Sequence, residues 1–466
     1  MRSRKTTSAS IHKVRRDELG GKRGMGHELQ KQRRQVRRPA AHKILTGDPD
    51  DSLTGIAGLV GFGRFTHDIG LDRKLVERFD DMKSGPNLVY RMGIQLRLLL
   101  DAIVADEDRV FGIEALAADR LFCRLAGGSV PSIDTLYRDL RRFDEDHLAA
   151  LEQLMAEQGM VGLHRSPQVL HVDVDSTVEP VFGHQEGALP GPNPRYHGRP
   201  SYHPLLACLA ETATCIGAIL RPGDRGFGEQ DVATILGWLN RLRHRLDSRT
   251  TITVRVDSAG DCTAVLSALQ QDQFRFVVKL KATEDLVGAA LLHGHWRITS
   301  RDVLKKPTER VGVLNFRRKE WEQHKLGLRV VALRSTERCG GQQLRLWDNP
   351  DESTQFYVTN DWQTEPEAIA REYDGRAEVE PIIGELKHAL AVGKIPSASF
   401  DANHAMFLIK LLAHNLMRRY AARVSPRCSY WRTPWLRRLL IVRPGRLLRS
   451  GRQWTLRTPR DLPLWE

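Results

Sequence analysis

Apolar positions recur at helical spacing from residue 53 to 160. Val89–Ala105 (VYRMGIQLRLLLDAIVA) and Ile113–Leu125 each predict a helix, and Gly127-Gly128 then breaks the pattern. Ser132 is a natural N-cap for a following helix that carries Tyr137, Arg138, Arg141 and Arg142. A helix, a short glycine turn and a capped basic helix fit a helix-turn-helix, which makes those three arginines candidate DNA contacts. An ordinary helical bundle has the same pattern.

The period changes to two near residue 168. Gln168–Asp175 (QVLHVDVD) alternates, with Val172 and Val174 on one face and Asp173 and Asp175 on the other. A Gly- and Pro-rich loop, 183–204, follows. Leu205–Ala210 and Cys215–Leu220 read as a strand pair, Glu229–Leu246 as a helix and Thr251–Val256 as a strand ending at Asp257. Cys262–Leu269 is a helix and Phe274–Leu280 a strand, which together predict a mixed α/β sheet. Residues 290–359 hold several β-like runs (Trp296–Thr299, Val311–Phe316, Leu328–Leu333, Leu344–Trp347, Phe356–Thr359) and read as a β-rich insertion. Helices are expected from Pro366 to about Ala391 and from Ala402 to Ala422.

Charge adds what periodicity does not show. The 466 residues carry a net +14, but residues 1–43 hold +11 and residues 418–460 hold +13, around an acidic body of −8. Basic ends attract phosphate backbones through counterion release. In the C-terminal segment the arginines alternate with Tyr430, Trp431, Trp435 and Trp454, a mixture suited to stacking and phosphate contact. No run of about 18 apolar residues predicts a membrane span, and the start lacks the apolar run of a secretory signal. The six cysteines are scattered without a Cys-x-x-Cys pair, which argues against a zinc ribbon or disulfide framework and fits a reducing cytosol.

An acidic body that faces a polyanion needs another use for its carboxylates, and metal binding is one. Asp173 and Asp175 stand in an otherwise buryable strand, although aspartate is depleted from strands. Asp257 follows a strand, where Asp often caps a turn. In Arg371–Leu390 (REYDGRAEVEPIIGELKHAL), a continuous helix places Tyr373, Arg376, Glu380 and Lys387 on one stripe about 60° wide. Pro381, next to Glu380, kinks that helix or starts it.

Asp175-Ser176-Thr177, Asp257 after Val254-Arg255-Val256, and the spacing Tyr373-x2-Arg376-x3-Glu380-x6-Lys387 resemble the DDE transposases of bacterial insertion sequences. Asp173–Thr177, Gly183–Gly187, Arg199–Leu205 and Arg255–Ser258 are similar to insertion-sequence family 1380. The similarity runs from about residue 50 to the C-terminus.

The resemblance implies an α/β fold: a ribonuclease H-like mixed-sheet core with a β-rich insertion, preceded by a helical DNA-binding domain. The expected layout is a flexible basic arm (1–50), a helix-turn-helix-like domain (51–165), a catalytic core (166–289 and 360–395), the insertion (290–359) and a basic C-terminal helical region (396–466). Asp175, Asp257 and Glu380 become the expected catalytic residues and ligands of two Mg²⁺ (or Mn²⁺) ions, with Asp173 an alternative first ligand. Tyr373, Arg376 and Lys387 join Arg138, Arg141 and Arg142 as expected phosphate and DNA contacts. A tryptophan of the insertion, Trp296 or Trp321, is a candidate to stack on a displaced base.

The implied activity is metal-dependent cleavage at insertion-sequence ends and strand transfer into target DNA. The expected partner is double-stranded DNA (terminal inverted repeats and target), in a dimeric complex in a bacterial cytoplasm at the nucleoid, with no membrane. Two alternatives are a DNA-binding protein derived from such a transposase, and a ribonuclease H-like nuclease that cuts without joining.

Overall fold

The computed structural model describes residues 47–163, 168–192, 197–300, 308–337, 351–390 and 397–460; the side chains at 300, 308, 336–337, 351–352, 377–381, 388–389 and 429–430 lie outside the description. The basic arm up to residue 46 and the Leu344–Trp347 run also lie outside it. The chain divides into two units, Met1–Asp50 and Asp51–Glu466, and the elements belong to the second.

Helices come first: α1 (Leu59–Asp68), α2 (Leu71–Phe79), α3 (Met92–Val104), a single turn at Ile113–Leu116, α4 (Arg120–Leu125), α5 (Ile133–Leu140) and α6 (Glu145–Gly159). The helix expected over Ile113–Leu125 is two pieces. Asp119 caps α4 by accepting the N–H groups of Leu121 and Phe122, so the chain restarts there. Ser132 caps α5 as expected, accepting the Thr135 N–H at 3.3 Å.

A nine-stranded sheet follows. Its strands are β1 (Val169–Ser176), β2 (Leu205–Leu209), β3 (Thr214–Ile219), β4 (Thr251–Val256), β5 (Arg275–Lys279), β6 (Arg297–Ser300), β7 (Thr308–Leu314), β8 (Arg329–Glu337) and β9 (Asp351–Thr359). The spatial order is β6-β7-β8-β9-β5-β4-β1-β2-β3. β1, β4 and β5 run parallel, and every other pairing is antiparallel. The β-rich stretch is thus not a separate layer. β9 pairs directly with β5, so those strands extend the same sheet.

Helices α7 (Val232–Arg243), α8 (Thr263–Gln271) and α9 (Glu284–Leu292) cover one face, burying Ile235, Trp238, Leu266 and Leu286 against Val172, Val174 and Val254. On the other face α10 (Pro366–Asp374) packs Ile369, Ala370 and Tyr373 on Val277, Val331 and Tyr357. Helix α11 (Val379–Ala389) and the 25-residue α12 (Phe400–Val424) pack with the first helices. The Asn415 side chain of α12 accepts the Cys215 N–H (2.9 Å) and donates to the carbonyls of Cys215 and Met155 (both 2.8 Å), fastening β3 to α6. Gly159 permits that approach, since a Cβ there would lie 2.2 Å from the Cys215 carbonyl oxygen. Residues from 56 to 155 and from 382 to 447 consequently contribute to one hydrophobic core.

The C-terminal region is not wholly helical. Gly445–Ser450 (β10) and Gln453–Arg457 (β11) form a hairpin whose turn uses Gly451 at φ +59°, and β10 also pairs with Leu53–Thr54. Arginine alternating with Leu447, Trp454 and Leu456 there has a period of two, with one half-buried face. Among the described residues no helix is long and apolar enough to cross a membrane.

Candidate active site

Parallel pairing places the first two aspartates. Asp173 is paired in register with Arg255 and Val174 with Val256. One step further, Asp175 at the end of β1 and Asp257 just past β4 emerge side by side, on strands about 4.8 Å apart. Asp257 keeps extended backbone (φ −73°, ψ −173°) and caps the next turn by accepting the Ala259 N–H at 2.9 Å.

Burial pushes the Asp175 carboxyl up; Arg376 pulls against it and Asp257 adds to it, leaving it at about 6. Arg376 is buried, with Nη2 3.2 Å from Asp175 Oδ1. Its Nε and Nη2 find no hydrogen-bond acceptor among the described residues. Tyr373 packs on Tyr357, ring centroids 4.8 Å apart, and burial pushes its hydroxyl up to about 12. The site therefore holds two acids, one buried guanidinium with unused donors and a protonated phenol.

Asp173 has a different surrounding. It is 1% exposed, and Arg255 binds both its oxygens, Nε at 2.6 Å and Nη2 at 2.7 Å. Burial pushes its carboxyl up against the pull of that guanidinium.

The continuous helix expected from Arg371 is broken. α10 ends at Asp374, a 3₁₀ turn spans Gly375–Glu378, and α11 begins at Val379. Glu380 lies in the first turn of α11, and Pro381 follows where a missing N–H costs no helix hydrogen bond. A 3₁₀ turn thus interrupts the continuous helix on which the single stripe was drawn. Tyr373 and Arg376 are buried rather than on a solvated face. The Glu380 side chain lies outside the described residues. Lys387 is engaged elsewhere, 3.0 Å from Glu179 Oε1 and donating to the Val178 carbonyl at 3.3 Å.

Arg138 and Arg141 are exposed and line a cleft of about 530 Å³ with Tyr137, His184 and Gln185. Arg142 is tied back, its Nε 3.0 Å from Asp139, which also holds Lys83 (2.7 Å) and Gln95 (2.8 Å). Trp321 is 2% exposed in the sheet core, which removes it as a stacking platform. Trp296 is half-buried and donates to the His293 carbonyl at 2.9 Å.

Sequence reasoning missed a polar mesh beside the site, in which His171, Arg255 and Arg275 converge on Glu372. One signal was present: an arginine in the middle of the apolar strand TITVRV needs a buried partner.

Among the described residues no group of three or more His, Cys, Asp or Glu side chains is placed to hold a metal. The donors that are described still suit one: two carboxylates on adjoining strands, with Asp257 adding to the burial that raises Asp175.

A mixed parallel sheet with paired acids at the carboxyl ends of neighbouring strands defines an α/β protein with a carboxylate-based site. Residues 42–466 match the family model described as transposase DDE domain group 1, and the chain belongs to that family of transposases. A cryo-EM structure of the piggyBac transposase synaptic complex with hairpin DNA is similar over 82% of this chain and 78% of that one, at 12% identity and a TM-score of 0.43. No curated relative matches the sequence.

Proposed function

We propose that this transposase cleaves DNA at the ends of its own insertion sequence and joins the freed 3′-OH to target DNA, with Asp175, Asp257 and Glu380 as the acidic triad. The strand order β3-β2-β1-β4-β5, with β1, β4 and β5 parallel, supports a ribonuclease H-like core beneath it. Asp175 rather than Asp173 is the first ligand in this reading, since Arg255 already occupies both oxygens of Asp173. The three carboxylates would hold two Mg²⁺ or Mn²⁺ ions, which when bound supply charge neutralisation at the attacking and leaving oxygens of the phosphodiester.

The observation that carries the reading is Arg376, a buried guanidinium 3.2 Å from Asp175 whose Nε and Nη2 have no hydrogen-bond acceptor among the described residues. A phosphate oxygen is the acceptor that suits them, and Arg suits bidentate contact with it. Tyr373, buried near Arg376, would help hold that side chain in place. Lys387, paired with Glu179, borders the site rather than entering it. Arg138 and Arg141 are proposed to grip the backbone of the terminal repeats, within a helical DNA-binding region, and two ends to meet in a dimeric complex. The similarity to insertion-sequence family 1380 is retained as part of this reading.

The test uses the purified protein, a DNA fragment bearing its element ends, and Mg²⁺. Asp175→Ala, Asp257→Ala and Glu380→Ala are each expected to abolish cutting while retaining end binding. Cleavage at the parent rate by any of them sinks the triad. Cutting without joining by the parent protein turns the reading into a nuclease.

A further inference from the structure

Three parallel strands each send one basic side chain to the same residue of α10. From β1, His171 Nε2 lies 2.8 Å from Glu372 Oε1. From β4, Arg255 Nη1 donates to the Glu372 main-chain carbonyl at 2.7 Å. From β5, Arg275 donates through Nη2 to Glu372 Oε2 at 2.5 Å and through Nη1 to Oε1. Each base is itself held. His171 Nδ1 is 2.7 Å from Glu211, Arg255 is bound to Asp173, and Arg275 reaches Asp361 and Thr253 at 2.7 Å each.

We infer that Glu372 is a positioning residue, which fixes α10 against the strands bearing Asp175 and Asp257 and so sets where Tyr373, Arg376 and Glu380 stand; the inference rests on the triad reading above. Apolar contact does not fix register by itself. The face of α10 made by Ile369, Ala370 and Tyr373 packs on a smooth sheet surface, and burial is non-directional. Hydrogen bonds from three strands to both the side chain and the main chain of one residue remove sliding and rotation together. Tyr373 is the next residue, Arg376 lies four further on, and Glu380 eight.

Two facts favour positioning over a general stability role. His171 and Arg275 sit toward the amino ends of β1 and β5, lining a cleft with Val169, Thr251 and Phe274, whereas Asp175 and Asp257 stand at the carboxyl ends; Arg255, near the carboxyl end of β4, is buried and bound to Asp173. Glu372, His171 and Arg275 are therefore set back from the end where Asp175 and Asp257 stand, and the Arg255 guanidinium is taken up by Asp173 and the Glu372 carbonyl. The chain also gives up a side chain to bring Arg255 against the end of α10: a Cβ on Gly375 would lie 2.8 Å from Arg255 Nη1. That contact lies at the hinge between α10 and the turn carrying Arg376.

The experiment uses the full chain with Glu372→Ala, the milder Glu372→Gln, and Gly375→Ala, which crowds Arg255 without removing any partner. Amide hydrogen exchange of the metal-free protein is read first. Exchange over residues 373–380 is expected to rise at least ~10-fold in Glu372→Ala while β1 and β4 stay protected. With Mg²⁺, end cleavage should fall ~100-fold, as a displacement of about 1 Å in a reacting constellation does, while affinity for the end fragment stays within about twofold. Glu372→Gln and Gly375→Ala should fall between, in exchange and in rate alike. Unchanged local exchange, or exchange raised uniformly with activity lost only in step with the unfolded fraction, overturns the inference. Asp257→Ala is the control. If it cuts, the triad reading has failed, and the metal-free exchange pattern still decides whether Glu372 positions this helix.

Discussion

Asp173 and Asp175 stand two residues apart on the same face of one strand, and opposite consequences are expected from neutralising them. Asp173 is fully buried and bound on both oxygens by Arg255, itself 3% exposed. The pair as a whole adds little net stability, since burial opposes the charge of Asp173 even beside the guanidinium. Half a pair is what costs. Asp173→Asn leaves Arg255 charged, buried and short of an anion, a class of change that destabilises by about 3–5 kcal/mol. Asp175→Asn removes a charge that burial and Asp257 already disfavour, and although it takes away the ion-pair partner of the buried Arg376, Asp257 remains as a nearby anion, so its cost should be clearly smaller than that of Asp173→Asn, about 1 kcal/mol. Urea unfolding followed by circular dichroism measures the first quantity, and end cleavage on the folded fraction measures activity. Asp173→Asn should lower the midpoint and retain some cutting per folded molecule; Asp175→Asn should lower it much less and lose cutting. The reasoning is refuted if Asp173→Asn is as stable as the parent yet inactive, or if Asp175→Asn cuts.

Three further outcomes are expected. Arg138→Ala and Arg141→Ala should each flatten the salt dependence of end binding by about one unit of log–log slope, and Arg142→Ala, whose charge is held by Asp139, should change it less; fluorescence anisotropy across a salt series separates them. His171 is lifted to about 9, burial acting downward and hydrogen bonds to Glu211 and Glu372 overcoming it, with Arg255 opposing. Its folded value lies above the unfolded one, so its contribution is complete below pH 6.5 and is lost as pH rises through about 9; His171→Asn should flatten that limb of the urea midpoint against pH. Gly58→Ala should destabilise by at least ~2 kcal/mol, because a Cβ there would sit 1.8 Å from the Leu440 carbonyl oxygen; a midpoint equal to the parent's would show that the two segments do not pack this way.

The sheet was legible because its strands obey a local rule. QVLHVDVD and TITVRV each alternate or bury completely, and both end where the acids stand. Ser132 was legible as a cap because its side chain satisfies a donor three residues on, a purely local event. What was not legible depends on partners distant in the chain. That the strands after residue 290 join the central sheet was not legible, because nothing in their sequence says that β9 will pair with β5. The C-terminal arginines read as suited to stacking and phosphate contact, yet Arg437 is buried and reaches Asp106 at 2.6 Å, a partner more than three hundred residues earlier. The helix break at Gly375 escaped periodicity because Glu380 and Lys387 still fall near the stripe on paper; the backbone turns there to let Arg255 in.

The alternation of β-structure also explains why the holding groups and the reacting groups share the same segments. A strand shows the same face every second residue. On β1, Asp173 and Asp175 share that face, and on the β4 edge Arg255 and Asp257 do. The inner member of each pair lies deep enough for its charge to need an internal partner, and the two inner members have opposite sign and bind each other. The outer members have the same sign, so nothing inside the sheet satisfies them both. Asp175 is left at about 6, with Arg376 and the Ser176 main chain opposing the burial. A like-charged pair at a strand end stays ionised together only if positive charge arrives from outside the sheet. Arg376 supplies part of it, and a divalent cation is the ligand whose charge and hardness match the remainder. Adding Ca²⁺, which carries that charge without supporting the reaction expected of Mg²⁺, should therefore raise the unfolding midpoint of the parent and leave Asp175→Asn/Asp257→Asn unmoved. An equal shift in both proteins would place the cation elsewhere and remove the electrostatic reason for reading these acids as a metal site.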